Sequence, residues 1–169
     1  MCTLVILRRP EKDWPVLIAA NRDEVLTRPS HPPELLNFSP AIFGGKDLIA
    51  GGTWFGINES GVVAGMLNRR EPRPNDPRLP SRGTLCVDSL KKISATPAAE
   101  WVTRQPAAAY NPFNLLVCDP REAYFIWPEA EGTIAKPVDP GVHLLTNMNP
   151  NDDTCPKIQR ASPHFRSIA

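Results

Sequence analysis

Twenty of the 169 residues are proline, falling mainly in residues 28–40, 72–80, 97–112 and 120–163. Proline lacks a backbone N–H and its ring clashes with the preceding helical turn, so it is kept out of helix interiors and central strands. A chain punctuated this way is expected to fold as short elements joined by stiff loops. The first apolar stretches are Thr3 to Arg8 and Pro15 to Asn21, rich in β-branched and apolar types, with a polar turn at Arg9 to Asp13 between them. They predict an antiparallel hairpin. Their near-continuous apolarity predicts that both faces of both strands are buried.

Residues 28–40 read as a proline-rich loop, and Gly44-Gly45-Lys46-Asp47 as a hairpin turn. Three short strand-like runs follow, Asp47–Ala50, Thr53–Asn58 and Val62–Leu67. The last two are joined by a turn in which Gly61 supplies a positive φ. Residues 69–83 are a second polar, proline-rich loop; long loops of this kind commonly wall a site, and 28–40 and 69–83 are the candidates here. Apolar residues at 86, 87, 90 and 93 give helical spacing over Thr84 to Ser94. Thr96-Pro97 reads as an N-cap followed by proline at the first position of a helix reaching Gln105. Asn114–Cys118, Tyr124–Trp127, Thr133–Lys136 and Val142–Thr146 read as strands, and the tail from Pro156 as a helix interrupted at Pro163. Strands, then two helices, then more strands predict an α+β fold with mostly antiparallel sheets. The length suits a single domain over residues 1–169.

The formal net charge is +1, and the only adjacent basic pairs are Arg8-Arg9, Arg69-Arg70 and Lys91-Lys92. That balance carries no electrostatic footprint of nucleic-acid binding, and the pairs are expected on solvated faces. No run approaches the roughly 20 apolar residues of a membrane span. The start lacks the basic segment of a secretory signal. The four cysteines form no Cys-x-x-Cys pair. These features predict a cytoplasmic protein with reduced thiols. His31, His143 and His164 lack the short spacings of zinc sites, so no metal and no cofactor is expected.

Chemistry is concentrated in a few positions. Cys2 follows an initiator methionine that is removable because the next residue is small. Removal leaves one residue holding a thiol and an α-amine, and such an amine titrates near pH 7.7–8.0 and can serve as a built-in base. The other reading is an ordinary cysteine at a strand start. Asn21-Arg22-Asp23-Glu24 is a polar cluster after a strand that pairing would bring beside Cys2. Asp23 could orient the amine and Arg22 could stabilise a thiolate; a polar turn with local ion pairs is the alternative. Asn68 ends the strand Val62–Leu67, where its amide could donate to an oxyanion or cap a turn. Asn147, after Val142–Thr146, has the same character.

Together, Met1-Cys2-Thr3, Ala19-Ala20-Asn21-Arg22-Asp23-Glu24 and Gly51-Gly52-Thr53-Trp54-Phe55-Gly56-Ile57-Asn58 resemble the NRDE family, also called the transport and Golgi organisation 2 family. Gly61-Val62-Val63-Ala64, Leu67-Asn68-Arg69, Ser81-Arg82-Gly83, Pro112-Phe113-Asn114-Leu115 and Asn149-Pro150-Asn151-Asp152 extend the resemblance, in order, along nearly the whole chain. That family is similar to the cysteine branch of the N-terminal nucleophile hydrolases, with penicillin V acylase and bile-salt hydrolase. The resemblance implies an αββα sandwich of antiparallel sheets and hydrolysis of a non-peptide C–N amide bond in a small-molecule substrate, through a thioester. By it, Cys2 is the nucleophile, Asp23 contacts its amine, Asn68 serves the oxyanion hole and Asn147 matches a second motif asparagine. The acylases carry an arginine one residue before the turn asparagine; here that residue is Ala20, and the arginine is Arg22, one residue after it. The chain is also shorter than family members, which implies an incomplete sandwich whose open sheet edge favours a homo-oligomer. A second implication is non-enzymatic: relatives are associated with secretory organisation and with haem or lipid handling.

Overall fold

The computed structural model describes residues 2–72 and 74–168. Strands β1 (Thr3–Glu11), β2 (Trp14–Asn21) and β10 (Gly141–Leu145) form a three-stranded antiparallel sheet in the order β10-β1-β2. A seven-stranded antiparallel sheet runs in sequence order through β3 (Ser30–Phe38), β4 (Ala41–Asp47), β5 (Phe55–Asn58), β6 (Val63–Asn68), β7 (Phe113–Cys118), β8 (Ala123–Glu129) and β9 (Gly132–Pro137). Helices α1 (Arg82–Leu90) and α2 (Ala95–Thr103) lie on the outer face of the large sheet, and α3 (Pro156–Arg166) packs against β10 on the outer face of the small one.

The period-2 alternation of strand side chains builds these layers. In β1, Leu4 and Ile6 enter the core between the sheets, while Val5 and Leu7 join Leu144, Cys155 and Ile158 under α3. In β7, Leu116 and Cys118 face the small sheet, while Phe113, Leu115 and Val117 pack with Leu85, Leu90 and Val102 of the two helices. Both faces of β1 and β7 are therefore buried, and each fully buried leucine or isoleucine contributes about 1.5–3 kcal/mol. The result is the four-layer αββα arrangement.

Several local expectations change. The first hairpin forms with Thr3 opposite Asn21 and Ile6 opposite Ile18. Only β1 is buried on both faces, however: Trp14 is 58% and Leu17 40% exposed. β2 is the sheet edge and α3 sits on the β10 side, so nothing covers its outer face among the described residues. Residues 28–40, expected as a loop, hold β3. Pro32 and Pro33 fall where its register slips, between His31 and Glu34, on an edge strand that tolerates missing N–H groups. Gly44-Gly45-Lys46-Asp47 is strand rather than turn: a Cβ on Gly45 would sit 2.5 Å from the Trp54 ring. Asp47 ends β4 and residues 48–50 turn, so Asp47–Ala50 is no strand.

The helices also begin earlier than expected. The Ser81 side chain accepts the Gly83 N–H at 3.1 Å and starts α1 at Arg82 rather than Thr84. The Asp119 carboxylate accepts the Ala95 N–H at 2.7 Å and starts α2 ahead of Thr96. Pro97 then occupies the first turn, where no intrahelical donor is needed. Pro163 does not interrupt α3, because the Gln159 carbonyl it leaves without a donor lies on an exposed residue. Two basic residues expected on solvated faces are drawn inward. Arg8 is 8% exposed and donates to the Val138 and Arg121 carbonyls. Arg69 donates to Asn114 and Asn149. No helix among the described residues is long and apolar enough to cross a membrane.

Candidate active site

Because Thr3 pairs with Asn21, the residue before β1 lies beside the residues after β2. The Asp23 backbone N–H donates to Cys2 Sγ at 3.3 Å, and Cys2 Sγ lies 3.5 Å from the Asp23 carbonyl oxygen, to which the thiol can donate. The half-buried Cys2 side chain is thus held against a backbone unit that can receive a proton on one side and donate a hydrogen bond to sulfur on the other. Beyond this contact the chain turns its side chains apart. Asn21 Nδ2 donates to Asp23 Oδ1 at 2.5 Å, and Lys157 Nζ, in the first turn of α3, donates to Asp23 Oδ2 at 3.2 Å. Hydrogen bonds from the cationic amino terminus and then from Lys157 hold the Asp23 carboxyl below its ordinary range.

Arg22 turns the other way. Its guanidinium carbon lies 4.5 Å from the centre of the Trp54 ring. Its Nη2 lies 3.7 Å from Glu24 and 3.6 Å from Asp47. Arg28 holds the same Asp47 carboxylate through Nε at 2.9 Å and Nη2 at 2.8 Å. Burial would raise the Asp47 carboxyl, but N–H donors from Ala50 and Ile49 together with Arg28 outweigh it and keep the group low. The turn after Asp47 ends on Gly51 and Gly52, with φ of 69° and 77°. A Cβ on Gly52 would strike the Gly83 backbone, so glycine lets this turn lie against the start of α1.

Asn68 ends β6 at the same end of the sandwich. Its side-chain amide meets no hydrogen-bond partner among the described residues. Its backbone is braced: Asn147 Nδ2 donates to the Asn68 carbonyl, and the Asn147 carbonyl accepts from Arg70 N at 2.7 Å. The segment carrying Asn147 is tied in turn to β7, where buried Asn114 donates to the Thr146 carbonyl at 2.7 Å and the Met148 carbonyl at 2.6 Å.

These parts surround a cavity of about 480 Å³, lined among others by Cys2, Arg22, Asp23, Trp54, Asn68 and Arg82. Four of the five residues singled out in the sequence therefore meet at one cavity. Asn147 does not line it and stands behind Asn68. Of the two loops expected to wall the site, residues 69–83 do so, through Asn75 to Arg82, with Asp76 clamped by the Asn111 amide at 2.8 Å. From 28–40 only Arg28 takes part. Arg28, Asp47, Arg82 and Lys157 were missed. The family-like Ser81-Arg82-Gly83 was the available signal for Arg82; Lys157 had none, since only the packing of α3 brings it here. Among the described residues no three His, Cys, Asp or Glu side chains converge to hold a metal ion. The remaining thiols are buried: burial pushes Cys118 up to about 12 and Cys86 higher still.

Comparison with known structures gives the same architecture. An N-acylethanolamine-hydrolyzing acid amidase ortholog from Caenorhabditis elegans superposes with a TM-score of 0.75 at 11% identity, over 99% of this chain and 80% of that one. A C2A mutant of conjugated bile acid hydrolase from Clostridium perfringens superposes with a TM-score of 0.60 at 15% identity, over 97% of this chain and 57% of that one. At such identities the likeness establishes the fold, that of the N-terminal nucleophile hydrolases. In sequence, the Transport and Golgi organization 2 homolog of Mus musculus is 32% identical over 117 residues, and that of Homo sapiens 33%. Those matches take in 62% of this chain and 38% of the relatives' own length, so the chain spans well under half of the length of these two sequence relatives. The family described as Transport and Golgi organisation 2 matches residues 1–169, and the chain belongs to it.

Proposed function

We propose that this protein is an N-terminal cysteine hydrolase that cleaves a non-peptide C–N amide bond in a small molecule through a thioester. The observation carrying the proposal is the placement of the Cys2 thiol at a cavity shared with the unpartnered Asn68 amide, with the Asp23 backbone bonded to sulfur. Removal of Met1 frees the Cys2 α-amine. That amine takes the thiol proton, and the sulfur attacks the amide carbonyl carbon. Asn68 Nδ2–H receives the oxyanion of the tetrahedral intermediate; removing one such donor typically costs 100- to 1000-fold in rate, an effect of about 2.7–4 kcal/mol. The protonated amine then gives its proton to the departing nitrogen, and the C–N bond breaks to leave a thioester on Cys2. Water, deprotonated by the same amine, attacks the thioester, and the carboxylic acid leaves as the thiol is restored. Asp23 orients the amine. Arg22, engaged with Trp54, Glu24 and Asp47, holds the cavity wall.

The names of the two structural neighbours, an amidase acting on N-acylethanolamines and a hydrolase of conjugated bile acids, support amide chemistry on this fold. The test is turnover of a panel of N-acyl amides by wild type and Cys2→Ala, with intact-mass detection of an acyl adduct. Release of amine by wild type alone, with an adduct mapped to Cys2, is the expected result. Equal turnover by Cys2→Ala would overturn the assignment.

A further inference from the structure

Among the described residues, the charged groups at the cavity pair off with one exception. Asp47 and Glu24 are shared by Arg22 and Arg28. Asp76 is held by Arg78, Nη2 to Oδ2, at 2.7 Å. Asp23 is held by Lys157. Arg82 remains. Its two hydrogen bonds both leave from Nη1 and both reach neutral acceptors, the Pro112 carbonyl at 3.0 Å and Asn75 Oδ1 at 3.4 Å. Among the described residues no carboxylate lies within ion-pair distance of it, and its Nε and Nη2 have no acceptor. Burial and the nearby positive charge of Arg28 both work against its ionised form. A guanidinium cannot shed its proton at neutral pH, so this half-buried charge persists without a counter-ion.

The fold spends structure on keeping Arg82 there. It is the first residue of α1, behind the Ser81 cap. The Gly51-Gly52 turn packs directly against that helix start, and Thr53 N–H donates to the Gly83 carbonyl at 3.2 Å. Nη1 is fixed by its two acceptors, which leaves the Nε–Nη2 edge of a planar fork as the available face. That edge matches the two oxygens of one carboxylate. One uncompensated positive charge also calls for a monoanion rather than a dianion, in a cavity that Glu24 and Asp47 also line.

We propose that Arg82 is a specificity residue that pairs with a carboxylate on the substrate, so that the natural amide carries a carboxylate on its acyl or its amine part. The inference rests on the reading of the Cys2 cavity as the substrate site. It is tested without knowing the rest of the substrate by alkylating Cys2 with two reagents of similar size, anionic iodoacetate and neutral iodoacetamide. The second-order rate constants are read by peptide mass on the full chain. In wild type the iodoacetate-to-iodoacetamide ratio should exceed that of Arg82→Met and of Arg82→Gln by about fivefold, with the effect shrinking as salt is added. Arg82→Lys, which keeps the charge and loses the fork, should fall between. A ratio that is the same in wild type and in whichever of the two neutral variants folds overturns the proposal. The iodoacetamide rate alone reports on Cys2. A sluggish thiol with an Arg82-dependent ratio counts against the amidase reading and for Arg82; a reactive thiol with a flat ratio does the reverse.

Discussion

Replacing Asn114 with leucine should unlock the loop behind Asn68. Asn114 is fully buried, and its Nδ2 donates to two backbone carbonyls, Thr146 at 2.7 Å and Met148 at 2.6 Å, while its Oδ1 accepts from Arg69 Nη1 at 3.0 Å. Leucine keeps the branched outline and is bulkier, so no cavity is created. What is lost is three hydrogen bonds, each worth about 1 kcal/mol net, and the Thr146 carbonyl is left buried without a donor. Met148 and Arg69 are more open and recover part of the loss from water. The sum is about 3 kcal/mol, or a fall of about 6–12 °C in Tm for a chain of this size. Urea denaturation followed by circular dichroism measures it. Asn149→Leu is the control, because among the described residues the exposed Asn149 side chain accepts a hydrogen bond only from Arg69. Asn147 braces the Asn68 backbone, so any amidase activity should fall with Asn114→Leu and survive Asn149→Leu. A loss below about 1 kcal/mol, or one equal to the control, would refute the claim that Asn114 fastens this loop.

Gly52→Ala places a Cβ at a φ of 77° and into the Gly83 backbone, and should cost about 2–4 kcal/mol; a variant as stable as wild type in a thermal melt would show that the turn does not lie against α1. In the native protein Cys2 should alkylate while Cys86 and Cys118 stay silent until denaturant is added, Cys118 because burial raises it to about 12; labelling of either buried thiol at the Cys2 rate in native buffer contradicts the packing. Asp47 and Asp119 are both held below the ordinary carboxylate range. A depressed folded-state value means the stability they contribute is present above the unfolded value, about 3.9, and disappears as pH falls through the folded one. Tm should therefore be flat from about pH 8 to 5 and drop below about pH 4, with Asp119→Asn showing a smaller acid drop; a Tm that rises on acidification would contradict this.

The sandwich was largely legible where one rule acted alone. A continuous apolar run announced β1 as a strand buried on both faces, β7 was legible as a strand, and Asn58 to Gly61 marked its turn through a glycine whose φ is 81°. Where two rules compete, the sequence alone does not decide between them. β3 contains Pro32 and Pro33, and composition cannot tell a loop from an edge strand whose ladder slips at those residues. The first turns of α1 and α2 were misplaced because their caps, Ser81 and the distant Asp119, act through contacts that local spacing does not reveal. Cys2 and Asp23 could be placed together because hairpin register carries that information. The arginine–carboxylate lattice of Arg22, Arg28 and Asp47 could not, since it depends on how the turn after β4 meets the turn after β2. Lys157 is the extreme case, 134 residues from its partner Asp23.

If Cys2 becomes a terminal nucleophile, intact mass spectrometry of the expressed protein, before and after brief treatment with stoichiometric iodoacetamide, records both the processing and the reactivity. The expected result is a chain lacking Met1 that gains a single label, mapped to Cys2 by peptide analysis. A chain that retains Met1, or one whose label is spread over Cys86, Cys118 and Cys155 with no preference for Cys2, would contradict it.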